Sequence, residues 1–181
     1  MLKTEELKLV SEWDKTFPKS EKVDHEKVTF VNRYGITLAA DLYKPKNASG
    51  KYPAIAVSGP FGAVKEQCSG LYAQTMAERG YLTIAFDPSF TGESGGYPRF
   101  MASPDINTED FMAAVDFLSV REDVDPDKIG IIGICGWGGM ALNAAALDTR
   151  IKATVASTMY DMTRVNANGY FDSEDSEEAR Y

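Results

Sequence analysis

The sequence predicts a three-layer α/β/α domain, a mainly parallel sheet opened by an antiparallel hairpin and covered by helices on both faces. Three observations carry this reading. Pro53 to Ser58, Tyr81 to Phe86, Lys128 to Ile134 and Ile151 to Ser157 are short, almost wholly apolar runs rich in Ile and Val, as strands buried on both faces are. Apolar residues at helical spacing fill the intervals between them. Gly and Pro punctuate the junctions, and no repeat or low-complexity stretch breaks the alternation. With 181 residues, 44% hydrophobic and 25% charged, the chain is a single domain of ordinary globular composition.

In chain order, residues 1–25 read as an N-terminal extension. Residues 4–16 within it read as a helix carrying Leu7, Val10 and Trp13 and stopped by Pro18. Val28 to Val31 and Ile36 to Tyr43 flank the turn signal Arg33-Tyr34-Gly35 and form the hairpin. The strand ending at Ser58 leads to a helix with Cys68, Leu71, Tyr72 and Met76 on one face, and Lys65-Glu66-Gln67 reads as its solvated opening turn. Asp87 to Gly96 is a polar loop in which Asp87 and Ser94 brace the turn. Phe111, Ala114, Val115 and Leu118 mark the next helix, with Asn107 or Thr108 as its cap. Met140, Asn143, Ala144 and Leu147 mark the helix after Ile134. The strand Ile151 to Ser157 is left as an open sheet edge, and residues 170–181 form an acidic tail or the start of a lid.

Composition then limits the function. Nineteen Lys and Arg against 27 Asp and Glu give a net charge of −8, which argues against a nucleic-acid partner or an anionic membrane surface. The N-terminus lacks a signal-like apolar region and no apolar run approaches the roughly 18 residues of a membrane span, so the expected location is cytoplasmic. Two cysteines, Cys68 and Cys135, are too few for a disulfide scaffold and form no Cys-x-x-Cys pair. His25 is the sole histidine, and it reads as a surface residue ahead of the hairpin rather than a general base.

Ligands of such sheets sit at the carboxyl ends of the strands. There the sharpest signal is Gly133-Ile134-Cys135-Gly136-Trp137-Gly138-Gly139, a strand, a glycine-rich turn with one nucleophilic side chain, then a helix. In a nucleophile elbow such a turn lifts the side chain clear of the sheet, and small neighbours avoid clashes. Helix N-termini stabilise negative charge at a thiol so placed, and the N–H of Gly136 would be one oxyanion donor. Trp137 stands where a small residue is expected, so the apex falls on Cys135 or, one place on, on Gly136. The loop Gly59-Pro60-Phe61-Gly62 is the natural source of the second donor, from Phe61 or alternatively Gly62, since Pro60 has no N–H. Asp161, past the last strand, is a candidate acid, though no histidine follows it. A competing reading makes Gly136 to Ala141 a dinucleotide fingerprint of the G-x-G-x-x-A kind with Asp161 as its acidic partner, but that motif normally follows the first strand of its sheet.

Taken together, several motifs resemble a known family. They are Thr16-Phe17-Pro18-Lys19-Ser20, Asn32 to Tyr43, Gly59-Pro60-Phe61-Gly62-Ala63-Val64-Lys65-Glu66-Gln67, Gly92-Glu93-Ser94-Gly95-Gly96 and Gly133 to Gly139. They are similar to those of bacterial α/β-hydrolases of the dienelactone-hydrolase-like group, from about residue 16 to Gly169. The resemblance implies an α/β-hydrolase-type sheet, Cys135 at the nucleophile position, and hydrolysis of a small ester or lactone with no cofactor and no metal. Family members carry the acid and the histidine after the nucleophile and continue well past this chain, which the resemblance therefore marks as C-terminally incomplete. Gly59 stands where dienelactone hydrolases proper carry a glutamate. The expected function is an acyl hydrolase that is weak or inactive as the isolated chain. The alternative is a non-catalytic binding or assembly module, completed at its open edge by a second chain or a second copy.

Overall fold

The computed structural model describes residues 5–46 and 49–178. Six strands form one sheet, in the order β1-β2-β4-β3-β5-β6. The hairpin β1 (Val23–Val31) and β2 (Thr37–Pro45) is antiparallel, with His25 opposite Tyr43 and Lys27 opposite Asp41. β2 meets β4 (Leu82–Phe86) antiparallel, whereas β3 (Tyr52–Ser58), β4, β5 (Val124–Ile134) and β6 (Ile151–Ser157) run parallel. The crossovers are α1 (Cys68–Glu78), α2 (Pro104–Ser119) and α3 (Gly136–Leu147), and α4 (Met162–Asn168) follows β6.

Strand alternation divides the core between two faces. Leu38, Ala40, Leu42, Ala54, Ala56, Ile129 and Ile131 pack with Phe111, Val115 and Leu118 of α2 and Met140, Ala141 and Ala144 of α3. Tyr43, Ile55, Val57, Ile132 and Ile134 pack on the other face with Ala73 and Ala77 of α1 and with Phe17. Among the described residues that second face is only half covered. Over β5 and β6 it leaves an apolar trough of about 400 Å³, with Ile55, Ile132, Val155, Met76 and Tyr81 in its walls.

Two local expectations need correction. Of the helix expected over 4–16, Thr4 lies outside the described residues, and residues 5–16 contain no helix. That segment is instead tied down by acceptors of distant loops: the Val10 N–H donates to the Glu93 carboxylate Oε1 (2.6 Å) and the Thr16 N–H to the Glu66 backbone carbonyl (2.9 Å). Trp13 turns inward against Phe17 and His25. The cap of α2 is Ser103, followed by Pro104 at the first turn, rather than Asn107 or Thr108. Asn107 is instead fully buried, where with Ser89 and Asn32 it donates to the Asp110 carboxylate. Of the acidic segment 170–181, residues 170–178 hold a 3-10 turn (Tyr170–Asp172) and irregular backbone; 179–181 lie outside the described residues.

Candidate functional site

The junction of β5 and α3 is built around one residue in an unusual conformation. Cys135 has φ 59° and ψ −124°, while Gly136 is already the first residue of α3, so the sharp turn falls on Cys135. Non-glycine residues rarely hold a positive φ unless their surroundings fix it. Here the Cys135 N–H donates to the Ser157 carbonyl of β6 (2.8 Å), and its own carbonyl accepts from Gly138 (2.9 Å) and Tyr160 (3.4 Å). Small neighbours make the turn possible. A Cβ on Gly133 would lie 2.1 Å from the Trp137 carbonyl oxygen, and one on Gly59 2.3 Å from that of Ile134.

Trp137 does not crowd the turn, because its ring is buried in the α2–α3 side of the core and meets the Phe61 ring edge-on at 5.7 Å. Phe61 in turn lies over the step from Cys135 to Gly136: a Cβ on Gly136 would stand 3.5 Å from Phe61 Cδ2. The half-buried Cys135 thiol, the start of α3 and the Gly59 to Gly62 loop therefore meet at one place. The second free cysteine, Cys68, donates from Sγ to the Gly59 carbonyl (3.7 Å), and burial pushes its thiol up.

The loop carrying Phe61 is clamped from below by a buried ion cluster, which corrects the expectation of a solvated Lys65. Lys65 is fully buried, and its Nζ lies 2.8 Å from Asp87 Oδ2, 2.6 Å from Glu66 Oε1 and 2.7 Å from Glu93 Oε2. Burial alone would lower the Lys65 pKa, but these carboxylates outweigh it and hold the ammonium above the ordinary lysine range. Asp87 does more than pair with it. Its Oδ1 accepts the Lys65 N–H (2.8 Å) and its Oδ2 the Glu93 N–H (2.9 Å), so one carboxylate joins the loop after β3 to the loop after β4. Ser94 donates to the Asp87 carbonyl (2.6 Å), the turn-bracing role expected of it.

The remaining candidates are occupied elsewhere. His25 lies within β1, not ahead of the hairpin, and its side chain is only 12% exposed. Its Nε2 lies 2.7 Å from Asp41 Oδ1, and Lys15 approaches the same oxygen at 3.0 Å. Burial would raise the Asp41 pKa, but the His25 hydrogen bond and the Lys15 charge together hold it below the ordinary carboxylate range. β1 stands four strand positions from β5, roughly 19 Å at the usual strand spacing. Asp161 is the cap of α4: Thr163 Oγ1 (2.6 Å) and the Arg164 N–H (3.0 Å) donate to its Oδ1 and hold its carboxyl below the usual range.

The dinucleotide alternative does not fit. Cβ atoms on Gly138 and Gly139 would meet Met159 Cβ at 2.7 Å and the Tyr160 carbonyl oxygen at 2.4 Å, so the chain itself fills the space beside the first turn of α3 where a pyrophosphate would lie. Among the described residues no three His, Cys, Asp or Glu side chains are grouped to hold a metal ion, and no helix is long and apolar enough to cross a membrane.

A parallel sheet entered through an antiparallel hairpin, with its sharpest turn between β5 and α3, is the framework of an α/β hydrolase, and solved structures agree. The α/β hydrolase GrgF from Penicillium sp. sh18 superimposes with a TM-score of 0.71 at 26% identity, over 84% of this chain and 53% of that one. A putative dienelactone hydrolase from Klebsiella pneumoniae shares the fold at a TM-score of 0.64 and 24% identity, over 76% and 60% of the two chains. Within this class the chain belongs to the X-Pro dipeptidyl-peptidase (S15) family, whose sequence pattern matches residues 34–179. Among its relatives, the uncharacterized protein PA2218 of Pseudomonas aeruginosa is 72% identical over 93% of this chain and 46% of its own length. The crystal structure of PA2218 superimposes with a TM-score of 0.93 at 70% identity, over 98% of this chain and 55% of that one. The thiohydrolase aneE of Aspergillus aculeatus is 33% identical over 76% of this chain and 42% of its own length. The chain thus spans about half the length of the relatives it matches.

Proposed function

We propose that this chain carries the nucleophile and oxyanion half of an acyl hydrolase acting on small esters or lactones. The observation that carries the reading is the left-handed Cys135 at the β5–α3 turn, with the Phe61 loop lying against it. The Cys135 thiolate attacks the ester carbonyl carbon and forms a C–S bond. The oxyanion is held by the N–H groups of Gly136 and Phe61, or Gly62 in place of Phe61. As the C–O bond breaks, the alkoxide takes a proton from water and the acyl group remains on sulfur as a thioester. Hydrolysis of that thioester needs a base, and a general base typically contributes about 10²–10⁴-fold. His25 is committed to Asp41 and Asp161 to its helix cap, so deacylation by this chain is slow. The free thiols accord with a reducing, cytoplasmic setting, and hydrolase-named relatives at about this degree of identity support the reaction class.

With p-nitrophenyl acetate we expect a burst of about one nitrophenolate per chain, an acetyl mass on the Cys135 peptide and slow turnover thereafter. Cys135→Ala should reduce the burst at least about 100-fold. An undiminished burst from that variant would remove the thiol from the chemistry.

A second reading, assembly, is favoured by β6. Among the described residues it pairs only with β5, and Val155 is 52% exposed beside the apolar trough. Such an edge is a template for another strand. Sedimentation should show self-association that rises with concentration and falls in Val155→Lys; a strictly monomeric profile at millimolar concentration argues against it.

A further inference from the structure

An apolar hollow beside Phe61 is left unused by the nucleophile reading. About 370 Å³ of space lies between the loop after β3 and the loop after β4, with Pro60, Phe61, Pro88, Phe100, Met101 and Trp137 in its walls. Sites for small molecules run from about 300 to 1,000 Å³, so the hollow suits a compact group. No lining residue carries a carboxylate, although the chain as a whole has a net charge of −8. Arg99, the charged residue of the lining, is turned to its own loop, donating to the carbonyl oxygens of Gly92 (2.7 Å) and Ser94. What faces the space is therefore mostly hydrocarbon and aromatic surface, with Thr91 and Arg99 as its polar side chains.

The rim is unusual. Phe100 is 87% exposed, and its φ of 58° is a conformation bulky side chains rarely adopt. Its N–H donates to the carbonyl of Phe90 (2.9 Å), which is itself left-handed at φ 74° and donates to Gly95 (2.8 Å). The loop thus holds an aromatic ring out into water against its backbone preference. Residues held in such sparsely populated conformations cluster at active sites and ligand clamps.

We infer that this hollow takes the apolar acyl group of the ester attacked by Cys135, an acyl chain of about six carbons or a phenyl-bearing one, with Phe100 as the specificity-determining residue over its mouth. This rests on the Cys135 reading. With the carbonyl between the thiol and the Phe61 and Gly136 amides, the acyl tail leaves the reacting centre past the Phe61 ring, which is shared by both places.

The test reads the hollow separately from the nucleophile. The chain has two tryptophans, so in a Trp13→Phe, Cys135→Ala background the fluorescence of Trp137 reports occupancy alone. Hexanamide should quench it saturably, and acetamide at least tenfold more weakly, following the gain of about fourfold per buried methylene. Phe100→Gly, which removes the ring while relieving the backbone, should erase most of that difference. In the chain with Cys135 present, acylation bursts should favour p-nitrophenyl hexanoate over the acetate at least tenfold, and again lose the preference in Phe100→Gly. Equal quenching by the two amides, or a length preference untouched by Phe100→Gly, would overturn the assignment. Failure of the Cys135 reading looks different: no acyl mass on that cysteine while the amides still discriminate.

Discussion

Asp87→Ala should destabilise the chain by about 3–5 kcal/mol, a fall in Tm of roughly 6–20 °C at this size. The reason lies in what remains behind. Lys65 and Asp87 are both fully buried in their ion pair, and removing one partner leaves an ammonium in the interior with reduced compensation. The N–H groups of Lys65 and Glu93 lose their acceptor as well. Glu66 and Glu93 still face Lys65, which places the loss toward the lower end of the range. Asp87→Asn keeps an acceptor and should cost about 2 kcal/mol, the value of a hydrogen bond to a charged group. Urea denaturation followed by tryptophan fluorescence measures both. The milder variant also separates stability from positioning. If Asp87 sets the Phe61 loop, Asp87→Asn should slow acylation of Cys135 by p-nitrophenyl acetate about tenfold, because that step builds an oxyanion. Alkylation by iodoacetamide builds none and should keep its rate. Equal slowing of both reactions would mean that the carboxylate merely holds the fold together.

Gly133→Ala should cost about 3 kcal/mol or more, at the upper end of overpacking. Its Cβ would lie 2.1 Å from the Trp137 carbonyl oxygen, 2.6 Å from the carbonyl carbon and 2.7 Å from Ala141 Cβ. The first two of these atoms belong to the backbone of α3, so no side-chain rotation relieves the contact. The helix must lift from β5, and Cys135 moves with it. A melting temperature within 2 °C of the parent chain would show that α3 does not pack on β5 as closely as described.

The parts of this architecture that were legible in the sequence are those set by local composition. Lys128 to Ile134 and Pro53 to Ser58 read as strands because burial on both faces demands nearly unbroken apolar runs, and both fall within observed strands. The Gly133 to Gly139 segment showed its turn because close helix–strand contact admits only small residues there. Residues whose partners lie far along the chain carry no such local signal. Lys65-Glu66-Gln67 looks like any solvated helix start, and its burial follows from Asp87 and Glu93, which only the sheet brings beside it. Leu7, Val10 and Trp13 have helical spacing, yet hydrogen bonds from Val10 and Thr16 to loops far along the chain hold that segment without a helix. His25 was recoverable in principle. A hairpin folded at Arg33 to Gly35 sets His25 opposite Tyr43, and Asp41, two residues away, shares the same face. For Phe100 no sequence signal exists, because its exposure depends on the left-handed backbone of its loop.

The half-bare face of the sheet sets two demands against each other. Acidic side chains at Ala153 and Val155, which flank the trough, would let the chain tolerate crowding on its own. The same charges would spoil any complementary polypeptide surface that settled there. A trough walled by Ile55, Ile132 and Val155 thus sets solubility against any use of that face for contact.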